Sequence, residues 1–156
     1  MIREELLHPI IVHFPLAFLA TAPLFKVGEV YCLFSKNTIG NTISNFYKLF
    51  LGLGFLGLVL SLFLGDTAAE ITKNQICDLT LLYQHEEAAH NALYLYISAG
   101  IFELLQAKFR PKWMASCSLV LLFVATYFLL DTAHLGGELV YEHGAAVMLE
   151  KASSCH

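Results

Sequence analysis

The chain has 156 residues, 57% of them hydrophobic and 14% charged, with a net charge of −4 and a mean hydropathy of +0.63. A typical soluble domain is about 25% charged, so a chain one domain long with its apolar residues in blocks reads as a membrane protein. The acidic balance argues against a nucleic-acid partner, and no glycine-rich phosphate loop or nucleophile elbow is present.

A helix needs about 20 apolar residues to cross the hydrocarbon core. The first such segment covers residues 10–34 and is entered through HPIIVHFP at 8–15. It lacks a basic lead-in and a small-residue exit, so no cleavable signal peptide is expected. Pro9 suits the first helical position, with His8 near the N-cap. Pro15 clashes with the Ile11 carbonyl in a regular helix, so a kink is expected there that re-aims His13 toward the bundle axis. Lys26 and Glu29, three apart on one helical face, are placed to pair or to snorkel near the far end.

The second span covers 46–66, and its Gly52, Gly54 and Gly57 predict a face packed closely against a neighbour. The third is the weakest. Only 92–102 is free of ionisable groups, so the span must run over about 85–106. The fourth covers 113–143 and follows a tight polar turn, KFRPKW. It begins with an uncharged run, 113–130, and ends in HLGGELVYEHG at 134–144. These elements predict an all-α fold: one domain, a four-helix transmembrane bundle with short connections.

Cys32 and Cys117 fall in apolar runs and read as small buried hydrophobes. Cys77 and Cys155 could form a disulfide in an oxidising compartment. No CxxC spacing marks a zinc or redox pair.

Antiparallel threading puts Lys26, Lys36, Lys48, Lys108, Arg110 and Lys112 on one side, against Arg3, Lys73 and Lys151 on the other. By the positive-inside rule the first side is cytoplasmic. Both termini then face outward, into the periplasm if the cell has two membranes.

The same threading collects His8 and His13 from span one, His85 and His90 from span three, and His134 and His143 from span four at the outer end. Asp66 and Glu70 arrive there from span two. A lone histidine at an interface is ordinarily solvated or bonded to backbone, but ionisable groups at membrane depth point to function. Neutral imidazole binds metals and carries protons. The i,i+5 spacing of His8–His13 and of His85–His90 turns each pair about 140° apart on a helix. It suits separate partners better than one shared metal.

Haem b meets these constraints, since axial ligation needs one histidine from each of two helices. One or two haems are expected. Phe14, Tyr83, Tyr94, Tyr96, Tyr127 and Tyr141 offer ring contacts, unless the tyrosines are an interfacial belt. Ala88, Ala89, Gly136, Gly137 and Gly144 offer room. Asp131, Glu138 and Glu142 either tune the potential and accept hydrogen bonds from ligand imidazoles or are solvated interfacial acids. A compact Zn, Cu or Fe site using Asp66, Glu70 or Glu138 competes with haem; so does a proton or ion pathway. If span four stays helical, His134 and His143 lie on opposite faces. They approach one another only if Gly136–Gly137 breaks the helix.

The motifs HPIIVHFP and HLGGELVYEHG resemble those of a widespread bacterial four-helix membrane family, long catalogued as a domain of unknown function. Its pattern is HPxxVHFP at the first helix, an entry histidine in the third and GGxLVYxHG at the end of the fourth. The resemblance covers essentially the whole chain and is looser around HEEAAHNAL. It favours His8, His13, His90, His134 and His143, with His85 supported by local geometry. Members joined to Rieske-type or cytochrome c modules imply electron transfer.

The chain has no CxxCH and no iron–sulfur cysteine set. The expectation is therefore a small b-type cytochrome-like subunit, not an enzyme on its own, that contacts membrane lipid. Electrons would pass to a periplasmic cytochrome c or Rieske-type protein, or within a larger respiratory complex. The alternatives are a non-haem metal-binding or transport protein using the same histidines, and a structural accessory subunit.

Overall fold

A computed structural model describes residues 6–35, 38–74, 76, 79–109 and 111–145. They form five helices: α1 (Leu7–Ile11), α2 (His13–Ser35), α3 (Gly40–Thr72), α4 (Thr80–Phe109) and α5 (Lys112–Tyr141). No strand occurs among the described residues. Because α1 and α2 share one path, the architecture is four long helical passes. Taken together as Leu7–Ser35, α1 and α2 are long and apolar enough to cross a membrane, as are α3 and α5. α4 is as long as α5 but less apolar, because His85, Glu86, Glu87, His90 and Glu103 interrupt it.

The passes pack as two antiparallel hairpins, α2 with α3 and α4 with α5, joined mainly where α2 meets α5. The core at the joint mixes large residues (Leu19, Tyr47, Leu58, Tyr96, Leu122, Leu129) with Ala22, Ala92, Ala99 and Ala125. Alanine on facing helices lets the backbones approach, which is how helices pack where lipid removes the hydrophobic drive. The outward faces carry Leu24, Leu56, Phe63, Leu104, Val120 and Tyr127, all exposed. This exterior suits contact with membrane lipid and is consistent with a multi-pass membrane protein.

The prolines and glycines act as local physics dictates. Pro15 has no N–H to give the Ile11 carbonyl, and the helix is interrupted there: Val12 is a turn between α1 and α2. The break is bridged by Val12 N–H to His8 O at 3.1 Å and Leu16 N–H to Val12 O at 3.1 Å. Pro23 sits inside α2 without ending it. It leaves the Leu19 carbonyl without its helical donor, and the Tyr96 hydroxyl donates to that oxygen at 3.4 Å.

Of the three glycines in α3 that predicted a close face, Gly54 and Gly57 are packing positions. A Cβ at Gly54 would lie 2.6 Å from Leu19, and one at Gly57 would lie 3.0 Å from Pro15. Gly52 meets nothing within 4 Å. The close face thus belongs to the α2–α3 hairpin and leaves Gly52 out. α5 continues unbroken through Gly136–Gly137 to Tyr141. It ends where Gly144 adopts φ 68°, a left-handed stop. The glycine-hinged alternative for His134 and His143 is not what forms.

Cys32 is buried and Cys117 half-buried, both as free thiols. Cys77 and Cys155 lie outside the described residues. Lys26 does not snorkel: it is fully buried and ion-paired to both Glu29 and Glu103, each at 2.6 Å.

Candidate functional site

At the end of the bundle formed by α1, the C-terminal turns of α3 and α5 and the start of α4 lies a cavity of about 390 Å³. His8, His13, His85 and His90 line it, among apolar and small residues that include Leu58, Leu62, Ala69, Ala89 and Leu129. Asp66 and Glu86 supply carboxylates at its wall. A largely apolar concavity with a few convergent polar groups is the usual form of a ligand site.

Two histidines are anchored inside it, and they are anchored alike. His8 Nδ1 lies 2.8 Å from the Ser61 carbonyl of α3. His85 Nδ1 lies 2.9 Å from the Thr132 carbonyl of α5. A carbonyl oxygen only accepts, so each Nδ1 must carry the proton and donate. In the neutral ring this leaves Nε2 as the lone-pair nitrogen of both residues. It is the tautomer that a backbone carbonyl imposes on a metal-ligating histidine.

The sequence makes these approaches possible with one device used twice. In a helix the carbonyl of residue i points toward residue i+4, and here residue i+4 is a glycine in both cases: Gly65 after Ser61, Gly136 after Thr132. A Cβ at Gly65 would come within 3.1 Å of His8 Cε1 and 3.3 Å of its Nδ1. At Gly136 it would come within 3.1 Å of His85 Cε1 and 3.4 Å of its Nδ1. Each hairpin therefore carries a half-site: a histidine on its first pass, and a carbonyl with a glycine window on its second. Joined at the bundle end, the half-sites bring the imidazoles face to edge, with centroids 6.2 Å apart and planes at 89°.

The other predicted histidines are placed differently. His13 stays exposed at the cavity edge, so the break near Pro15 does not turn it to the axis. His90 is exposed too, bonded through Nδ1 to Glu86 O of its own helix at 2.8 Å, with its ring beside Tyr94. His134 is 72% exposed on the outside of α5, its Nε2 3.1 Å from Glu138 Oε1. His143 lies exposed in the turn after α5. Among the acids, Glu138 meets His134, Glu70 pairs with Lys73 at 3.1 Å, and neither Asp131 nor Glu142 lines the cavity. Among the described residues no three His, Cys, Asp or Glu side chains converge on one point. The geometry is one facing pair, flanked by two rim histidines.

Reading along the chain missed Ser61, Gly65 and Thr132. A signal for them exists: SLFLG at 61–65 and TAHLG at 132–136 share a hydroxyl residue followed by Leu-Gly at the same offset, and each partners an HxxxxH segment. That repeat marks two equivalent hairpins. Compared with family models, curated proteins and solved structures, the chain matches none.

Proposed function

We propose that this protein is a membrane-embedded, b-type cytochrome-like electron-transfer subunit in which His8 and His85 would hold one haem b. The observation that supports this reading is the perpendicular imidazole pair at 6.2 Å. Two such imidazoles, one from each hairpin, could together hold one metal-bearing group. The donor chemistry fits as well: both rings have Nδ1 committed to a carbonyl and Nε2 left as the ligand atom. The apolar walls suit a flat, greasy macrocycle, and the glycine windows keep the rings against their anchors.

Haem iron bound this way supplies reversible one-electron transfer. The protein's part is to fix both imidazole planes, exclude water and hold the site near one membrane face. In this reading all four passes span the bilayer, α4 included. The histidine end faces the periplasm of a bacterial inner membrane, in keeping with the lysine and arginine bias toward the opposite end. The partner is then a periplasmic redox protein of cytochrome c or Rieske type, or a larger respiratory complex, as the resemblance of the two end motifs implies. His13 and His90, at the rim, are polar contacts of the same group.

The test is the visible spectrum of the purified, dithionite-reduced protein. Sharp α and Soret bands are expected, lost in His8→Ala and His85→Ala and retained in His134→Ala and His143→Ala. Absence of the bands, with a metal found by elemental analysis, would replace this reading with a non-haem metal protein. Bands that survive both His8→Ala and His85→Ala would move the ligands elsewhere.

A further inference from the structure

The two hairpins repeat one pattern well beyond the histidines. Lys26 stands eighteen residues after His8, and Glu103 eighteen residues after His85. Eighteen residues make about five helical turns, about 27 Å, and return the side chain to the same face. Pro15, Leu19, Ala22 and Lys26 follow the alternating four- and three-residue spacing of a heptad seam, as do Ala92, Tyr96, Ala99 and Glu103. All are buried except Glu103, whose side chain is 14% exposed. Matched residues of the two first passes meet at three levels. His8 faces His85 at the outer end, the Tyr96 hydroxyl donates to the Leu19 carbonyl in the middle, and Lys26 pairs with Glu103 at 2.6 Å toward the inner end.

The inner level differs in kind from the apolar part of the seam. Leucine, tyrosine and alanine at heptad spacing bury similar surface in a slipped pairing, whereas a polar residue in such a seam specifies register and partner. Lys26 has no exposed surface, and its ammonium joins Glu103 of the second hairpin to Glu29 of the first. The second passes meet here too, since Tyr47 of α3 lies against Ser118 of α5 and Glu103. A slip of one turn takes Glu103 from Lys26 and sets a carboxylate against apolar neighbours, which is costly at membrane depth. Two copies of the first hairpin would set Lys26 against Lys26, and two of the second Glu103 against Glu103, so only unlike hairpins match. An apolar pair of similar size holds such a position about as firmly, and registry is the best-attested use of a buried ion pair.

We propose that Lys26 and Glu103 are positioning residues for the histidine pair. Their ion pair selects the register in which the two hairpins join, and so brings His8 opposite His85 about five turns away. The role concerns how the rings come to face each other and holds whatever group they bind.

The test is nuclear magnetic resonance of the full-length, histidine-labelled protein in detergent, without added cofactor. In the wild type a cross-peak between the His8 and His85 ring protons is expected, assigned by its loss in His8→Ala. In Lys26→Met/Glu103→Leu, apolar side chains replace the ion pair. Helix content and thermal midpoint are expected to hold while the cross-peak falls several-fold or splits. Lys26→Glu/Glu103→Lys restores opposite charges at the same level and is expected to keep the cross-peak, which Lys26→Glu alone loses. A cross-peak unchanged in Lys26→Met/Glu103→Leu overturns the proposal. So does its absence from the wild type, or its loss in the charge-reversed pair with helix content intact. The visible spectrum is a separate outcome: a wild type that shows the cross-peak but binds no haem removes the cytochrome reading and leaves the positioning role standing.

Discussion

Gly136→Ala, compared with its neighbour Gly137→Ala, tests the glycine window. In a helix interior the exchange of glycine for alanine normally stabilises by about 1 kcal/mol. Gly137 has nothing within 4 Å of its would-be Cβ, so it should show that gain. At Gly136 the new methyl would lie 3.1 Å from His85 Cε1 and 3.4 Å from Nδ1. The ring must yield, and it is held by the 2.9 Å bond to the Thr132 carbonyl. Losing that bond costs about 0.5–1.5 kcal/mol, and crowding a packed site costs about 1–3 kcal/mol. The gain is cancelled, and a net loss of roughly 1 kcal/mol remains. For a chain of this length that is a midpoint lowered by about 2–4 °C, read by circular dichroism in detergent, with Gly137→Ala moving the other way. Gly65→Ala should behave like Gly136→Ala, since its methyl would meet His8 at 3.1 and 3.3 Å. If Gly136→Ala and Gly137→Ala raise the midpoint equally, His85 is not held against the Thr132 carbonyl and the half-sites do not exist.

Two further substitutions probe the hairpin contacts. Tyr96→Phe removes a donor from the Leu19 carbonyl and a 3.1 Å bond with Thr126 Oγ1, and should cost about 1 kcal/mol. In a Pro23→Ala background, where the restored backbone N–H at position 23 can serve the Leu19 carbonyl, the same change should cost less, which a double-mutant cycle measures. Gly54→Ala drives a methyl to 2.6 Å from Leu19 and should destabilise by about 1–3 kcal/mol. Gly52→Ala should cause no such loss; equal effects at the two positions would contradict the α2–α3 packing.

The helices, and the gathering of histidines at one end of them, follow from the chain alone. Apolar blocks of spanning length separated by polar turns leave little choice but helices, because backbone groups in an apolar medium must be satisfied within the segment. Alternating direction then sends the histidine-bearing ends to one end of the bundle. Pro15 marked its break in advance, since a missing N–H is a property of the residue itself. Which histidines face each other is settled only by folding. A ring's direction depends on an acceptor 53 residues away for His8 and 47 away for His85. Every residue has a carbonyl, so composition does not single out the Ser61 and Thr132 oxygens. What exposes them is a missing side chain one turn later, at Gly65 and Gly136, and a glycine shows its purpose only when the neighbour it admits is in place. Gly54 and Gly52 make the same point, as one helix surface meets Leu19 and the other does not. In the same way, the Lys26–Glu29 pair was legible from its spacing, but it became a buried centre only when the second hairpin closed over it with Glu103.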